Sequence, residues 1–361
     1  MYHVFHDPLE HYGRANYPPP VLTSPDLDLL IADTETEILG VIRLAQDERT
    51  GALYEMVRYH LGLDDESESH TRGKRLRPLL GLLAYESLTG DHRAALPGAA
   101  AVELGHNFSL VHDDIEDRDV ERRHRATLWT VYGVAQAINA GDTLFTLSRM
   151  ALHRLTELGF SDSKVLALMR LYDETCLALC EGQFMDIWGA EHDEHLSVDF
   201  YFDMIGRKTA ALIAASVQAG AMLATDDQSV IDAYRGFGWS LGIAFQLNDD
   251  LLGIWGDEQT TGKEPSDLAK HKKTLPVIYA LERSPEPDQK RLREILAMTN
   301  ADASAIQEAR ALIERCGGRD FTRERARQER DAALERIASA GVVGQAALER
   351  LRLIVVSAIK A

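Results

Sequence analysis

Apolar residues recur at three- and four-residue steps along almost the whole chain, and that period limits the fold class before any single residue is considered. "ALYEMVRYHLGL", "LLGLLAYESL", "AAAVELGHNFSLVHDD", "TLFTLSRMALHRL", "KVLALMRLYDETCLALCEGQF" and "TAALIAASVQAGAMLA" all carry the helical repeat. Several are apolar nearly all round, the pattern of helices packed inside a large bundle. Alternating β-type runs are absent. Gly90-Asp91, Gly141-Asp142, Gly159, Gly256-Asp257 and Gly317-Gly318 punctuate the pattern and predict helices of ordinary globular length. The first long helix is expected near "SPDLDLLIADTE", after an irregular amino-terminal arm over residues 1–24 that closes on "NYPPP". No linker, repeat or low-complexity tract follows. Residues 25–361 therefore read as a single all-α domain, one large helical bundle.

With 361 residues, 45% of them hydrophobic, a sizeable core is available. No apolar run approaches the roughly 20 residues that span a bilayer. The amino terminus, "MYHVFHDPLEHYGRANYPPP", has neither the basic start nor the apolar stretch of a secretory signal. Three cysteines are present, and Cys176 and Cys180 lie four apart on one expected helix, a poor disulfide geometry. All three read as reduced thiols of a cytoplasmic protein. A net charge of −18 argues against nucleic acid as a partner. Against it stand three basic clusters, "RGKRLR" (72–77), "RRHR" (122–125) and "KHKK" (270–273). Each alone is an ordinary solvated patch; together they suit a small, highly charged anion.

The apolar run before residue 112 ends in "HDDIEDRDVERR", with Asp113, Asp114 and Asp117 among its carboxylates. Asp113 and Asp117, four apart, share a helix face. Asp249 and Asp250 in "FQLNDDLLG" likewise end an apolar run. One such cluster is the usual polar end of a helix. Two, each on a helix too apolar for the surface, call for a bound cation, because crowded carboxylates repel one another. Hard oxygen donors point to Mg2+, which takes one or two carboxylates and completes its shell with water and phosphate. Zinc would need Cys or His, and no cysteine lies near either cluster. "HDEH" (192–195) lacks metalloprotease spacing and reads as a surface loop. "GDEQTTGKE" lacks the spacing and the hydroxyl residue of a P-loop. Paired carboxylates, Mg2+ and scattered Lys/Arg together describe a diphosphate site.

From roughly residue 70 to 280 these motifs resemble the trans-prenyl diphosphate synthases, or polyprenyl synthetases. "GKRLRP" (73–78), "HDDIEDRDVERR", "GQFMD" (182–186), "KTAAL" (208–212), "FQLNDDLLG" (245–253), and "GK" (262–263) with "KKTLP" (272–276) occur in the family's order. The resemblance implies the isoprenoid synthase bundle with a central apolar cavity. It implies that Lys74, Arg77, His106 and Arg123 hold the diphosphate of isopentenyl diphosphate. Arg122, Lys208, Lys263 and Lys272 would hold the allylic diphosphate together with three Mg2+. Asp113 and Asp117, supported by Asp114, would bind two of those ions; Asp249, with Asp250 beside it, would bind the third. Thr209 and Gln246 would line the place where the allylic cation forms. A homodimer is also implied.

The chemistry needs no protein nucleophile, and no convincing Ser-His-Asp or Cys-His set is present. Departures from the family pattern are Gly253, where a third aspartate is usual, and His124 and Ala126, where Gly and Pro are common. Phe108 and Ser109, about one helical turn before Asp113, would floor the elongation pocket. They resemble the geranylgeranyl (C20) type, with farnesyl (C15) the other product. A class I terpene cyclase shares the expected fold and metal chemistry but needs no second diphosphate site, so the set Lys74, Arg77, His106 and Arg123 argues against it. A regulatory subunit of a heteromeric synthase should have lost metal aspartates, and Gly253 is the only hint of that.

Overall fold

The computed structural model describes residues 25–64, 71–192, 196–256, 267–298, 301–338 and 344–358. The expected amino-terminal arm, most of "DDESES" (64–69), most of "HDEH", and Lys263 lie outside them. Helix α1 (Pro25–Ala45) is followed by α2 (Gly51–Leu61), α3 (Leu76–Thr89) and α4 (Leu96–Glu116). A two-residue ladder, β1 (Glu121–Arg122) with β2 (Arg125–Ala126), leads to α5 (Leu128–Tyr132), α6 (Val134–His153) and α7 (Asp162–Glu191). Next come α8 (Val198–Ile205), a π-helical turn (Gly206–Ala210), α9 (Ala211–Ala224) and α10 (Gln228–Trp255). The chain closes with α11 (Leu275–Arg283), α12 (Glu286–Leu296), α13 (Ala303–Arg315), α14 (Gly318–Ala338) and α15 (Gln345–Ala358).

Local chemistry explains most of the boundaries. Ser161, Ser197, Asp227 and Asp302 cap α7, α8, α10 and α13 by accepting a backbone N–H of the first turn. Each such cap stabilises its helix by about 1 kcal/mol. Gly90, Gly159 and Gly317 take φ of +84°, +86° and +85°, so these expected breaks are true turns.

One expected break fails. Gly141 breaks nothing, because α6 runs straight through it. A Cβ there would lie 2.5 Å from His112 Nε2, so this glycine lets α6 approach α4. The bundle is all-α as expected, and the β1–β2 hairpin beside it is too short to show a period in the sequence. Its two turn residues, Arg123 (φ +52°) and His124 (φ +61°), are both left-handed, as a two-residue type I′ turn demands.

The main core gathers side chains from α1, α3, α4, α6, α9, α10 and α15, with Leu80, Leu83, Leu104, Leu144, Tyr234 and Phe237 fully buried. Burial of each such leucine is worth about 1.5–3 kcal/mol. A smaller cluster around Ile254, Val277, Leu292 and Ile313 ties the end of α10 to α11, α12 and α13. Cys176, Cys180 and Cys316 are all unpaired. Among the described residues no helix is long and apolar enough to cross a membrane.

Candidate active site

The first acidic motif occupies the carboxyl end of α4. Asp117 N–H donates to Asp113 O at 2.8 Å, so the helical spacing survives to the last aspartate and both carboxylates stay on one face. A helix carboxyl end already carries partial negative charge, which makes the position unfavourable for acids. Burial pushes Asp113 up to about 6, against the pull of Lys208 and with Asp117 adding to the rise. Burial raises Asp117 as well, against Lys208, with Asp186 pushing the same way. Lys208 is the cation among them, its Nζ 2.6 Å from Asp186 Oδ2. Burial works against its charge, but Asp186, Asp113 and Asp117 outweigh it and hold the ammonium above its ordinary value.

Each aspartate pair is split by the structure. Asp113 is half-buried and Asp249 is exposed, whereas Asp114 and Asp250 are both only 2% exposed. Asp114 accepts Arg122 Nε at 2.7 Å, and its second oxygen has no hydrogen-bond partner. Asp250 accepts from the Tyr201 hydroxyl, from Leu275 N–H at 3.1 Å and from Gln246 Nε2 at 3.1 Å. Burial pushes Asp250 up to about 7 despite those three donors. The sequence expectation grouped all five aspartates at the metal, Asp114 in support of Asp113 and Asp117 and Asp250 beside Asp249. In the structure the lone pairs of Asp250 are committed to α8, α10 and the start of α11, and Asp114 is turned toward the arginine hairpin.

Gln246, fixed by Asp250, accepts the Thr209 hydroxyl at 2.9 Å. With its proton committed to Gln246, the Thr209 oxygen keeps its lone pairs for whatever lies beyond. Thr209 and Lys208 belong to the π-helical turn, a distortion common at functional sites. Gly182 of α7 makes room for that turn: a Cβ there would lie 2.4 Å from Lys208 N. Its neighbour Gln183 donates to Glu116 at 2.7 Å and clasps α7 to the end of α4.

The basic residues divide in the same way. Arg72 pairs with Glu35 at 3.0 Å, and the fully buried Arg75 side chain pairs with Glu35 and, at 2.8 Å, with Glu103. Lys74 is exposed. Arg77 Nη1 lies 3.0 Å from His106 Nε2. Burial, with Arg77 and Arg123 nearby, lowers His106 well below its usual range, so the ring is neutral and Nε2 accepts from the guanidinium. Burial also brings Arg77 down to about 10, between the attraction of Glu103 and Asp249 and the repulsion of Arg123. Arg123 donates to Arg72 O at 3.3 Å, joining the hairpin to the first basic motif. Arg75, before α3, and Arg118 and Arg123, just after the acidic helix end, all have positive φ, local strain of about 1 kcal/mol or more each. Lys272 acts electrostatically on Asp117 and on Asp267, and Lys270 lies 3.6 Å from Asp119.

Phe108 is buried in α4, its ring 5.0 Å from that of Phe145 on α6 and 5.8 Å from that of His112. Ser109 is half-buried and donates to His106 O. No group of three or more His, Cys, Asp or Glu side chains is gathered for a metal among the described residues. The side chains offered at the two acidic helix ends are carboxylates, and such all-oxygen donors suit Mg2+. Sequence reasoning missed Asp186, Gln183, Tyr201 and Glu103. The first two stand in "GQFMD", a motif whose place in the order assigns them no role; nothing in the sequence singles out the other two.

The sequence profile of the polyprenyl synthetase family matches residues 65–313. A (2E,6E)-farnesyl diphosphate synthase from Mycobacterium bovis is 37% identical over 319 residues, covering 86% of this chain and 87% of that protein. A geranylgeranyl diphosphate synthase from Mycobacterium tuberculosis is 39% identical over 282 residues, with 77% and 79% covered. The crystal structure of geranylgeranyl pyrophosphate synthetase from Pyrococcus horikoshii superposes with a TM-score of 0.83 at 31% identity, covering 94% of this chain and 100% of that one. The motif order, the all-helical bundle and these likenesses agree, and the chain belongs to the polyprenyl synthetase family.

Proposed function

We propose that this prenyltransferase condenses isopentenyl diphosphate with an allylic diphosphate, head to tail, to give a C20 or C15 prenyl diphosphate. The observation that carries the reading is the split of each aspartate pair, with Lys208 set between Asp113, Asp117 and Asp186. Outward carboxylates with a cation among them are arranged to receive a metal-bound anion. Asp113 and Asp117 would hold two Mg2+ ions and Asp249 a third. Bound there, Mg2+ supplies charge neutralisation that turns the allylic diphosphate into a leaving group.

Lys208, Lys272, Arg122 and Lys263 take the remaining charge of that diphosphate. Asp114 orients Arg122, and Asp250 orients Gln246. As the allylic C–O bond breaks, the Thr209 oxygen faces the developing cation with its lone pairs. Lys74, Arg77 and Arg123 hold isopentenyl diphosphate, with neutral His106 fixing Arg77. The C=C bond of isopentenyl diphosphate attacks the allylic carbon, and the proton lost from the adduct goes to an oxygen of the departed diphosphate. The reading requires an apolar space alongside α4 to keep water from the cation, and Phe108 and Phe145 would floor it.

Incubating the pure protein with Mg2+, isopentenyl diphosphate and one allylic diphosphate tests this. A longer prenyl diphosphate is expected. Hydrocarbon with free diphosphate would indicate a cyclase instead, and silence until a second protein is added would indicate a subunit. A homodimer through α5, α6 and α7 is part of the proposal, supported by the exposed Val131, Val134, Ile138, Leu177 and Phe184. Sedimentation of Ile138→Asp/Leu177→Asp should show a monomer.

A further inference from the structure

Gly253 stands four residues after Asp249 on α10, the spacing that puts Asp117 on the face of Asp113. It has no side chain, yet the space for one is filled. A Cβ built at position 253 would lie 1.8 Å from Asp267 Oδ2 and 2.4 Å from Asp267 Cγ. The backbone holds this arrangement: Asp267 N–H donates to Gly253 O at 3.2 Å, and Lys272 N–H donates to Asp267 O at 2.9 Å. Asp267 is half-buried and lies in the field of Lys272, the same lysine that acts on Asp117 of the first motif. Its carboxylate therefore sits against the Gly253 side of α10, the side that Asp249 shares by its four-residue spacing.

We infer that Asp267 is a working carboxylate of the second acidic cluster, delivered from the loop before α11 into the place that a side chain at position 253 would take. With Asp249 it forms across two segments the pair that Asp113 and Asp117 form within one helix. The glycine is then a requirement of the arrangement and not a loss, since any side chain at 253 would displace the Asp267 carboxylate. This rests on the diphosphate-synthase reading above. Two carboxylates on each side match the ligand count that Mg2+ prefers when phosphate and water finish its shell.

The test is calorimetric titration of Mg2+ into the full chain with inorganic pyrophosphate present. If the wild-type protein binds no Mg2+ under these conditions, the diphosphate-synthase reading itself falls. If it binds, Asp267→Asn, which keeps the shape and removes the charge, should weaken Mg2+ by roughly tenfold or more. The exchange variant Gly253→Asp/Asp267→Gly returns a carboxylate to the same place from α10 and should recover most of the lost affinity. Wild-type Mg2+ affinity in Asp267→Asn overturns the inference. So does an exchange variant that melts like the wild type yet binds no better than Asp267→Asn. Should the exchange variant not fold, the isosteric substitution decides alone.

Discussion

Lys208 Nζ is held 2.6 Å from Asp186 Oδ2 on α7, while Asp113 and Asp117 act on the same ammonium from α4. The lysine is thereby aimed at the outward carboxylates before any substrate arrives. Removing its charge should cost roughly 10²–10³ in kcat/KM, the scale seen when one preorganised electrostatic contact is lost. Lys208→Gln is the variant and steady-state kinetics the measurement. Asp186→Asn should cost less, and the double variant should be no worse than Lys208→Gln alone, because Asp186 acts through the lysine. Additive losses would show that Asp186 works independently.

The backbone of Lys208 has its own requirement. At Gly182 an added methyl group would meet Lys208 N at 2.4 Å, and neither helix backbone can yield there without moving the π-helical turn. Gly182→Ala should lower stability by about 1–3 kcal/mol in urea and also lower activity. Lys208→Gln should lower activity with little change in the urea midpoint. Equal midpoints for both variants would contradict this account.

Asp250 links stability to pH. Burial places its folded value at about 7, above the ordinary carboxylate value of about 3.9 in the unfolded chain. Between those values the folded state binds more protons than the unfolded state, so stability falls as pH rises through that window, by an amount on the order of a few kcal/mol. Asp113 and Asp114, each at about 6, act in the same direction. In metal-free urea titrations, Asp250→Asn should gain on the wild type steadily from pH 4 to pH 7. A constant difference across that range would mean that Asp250 does not titrate there.

Phe108 and Phe145 close one another off with rings 5.0 Å apart. If they floor the growing chain, Phe108→Ala should shift products to longer prenyl diphosphates, and Phe145→Ala should do so to a smaller extent. Chromatography of the dephosphorylated products reads this out. An unchanged profile in both variants would move the chain-length limit elsewhere.

What the sequence made legible was whatever is local to a helix. The i, i+4 spacing of Asp113 and Asp117 and the end of α3 at Gly90 follow from residues a turn apart. Partners brought in from far along the chain were invisible. "RGKRLR" shows four equivalent cations, and only the fold reveals that Arg72 and Arg75 are taken, by Glu35 and Glu103, 37 and 28 residues away or more. Gly141 reads as a turn because glycine usually marks one, whereas here a neighbouring helix needs the space. Gly253 reads as a lost ligand for the same reason: the carboxylate beside it comes from position 267. Neighbouring aspartates are also indistinguishable on paper, since burial of one and exposure of the next depends on what the helix packs against.

That last contrast would sort a saturation library without any assay of chemistry. At positions 113 and 249, non-acidic replacements should accumulate as abundant, soluble and inert protein. At 114 and 250, replacements that carry no hydrogen-bond acceptor should deplete the soluble fraction, because an arginine on one side and a tyrosine, a glutamine and a helix start on the other lose their anchor.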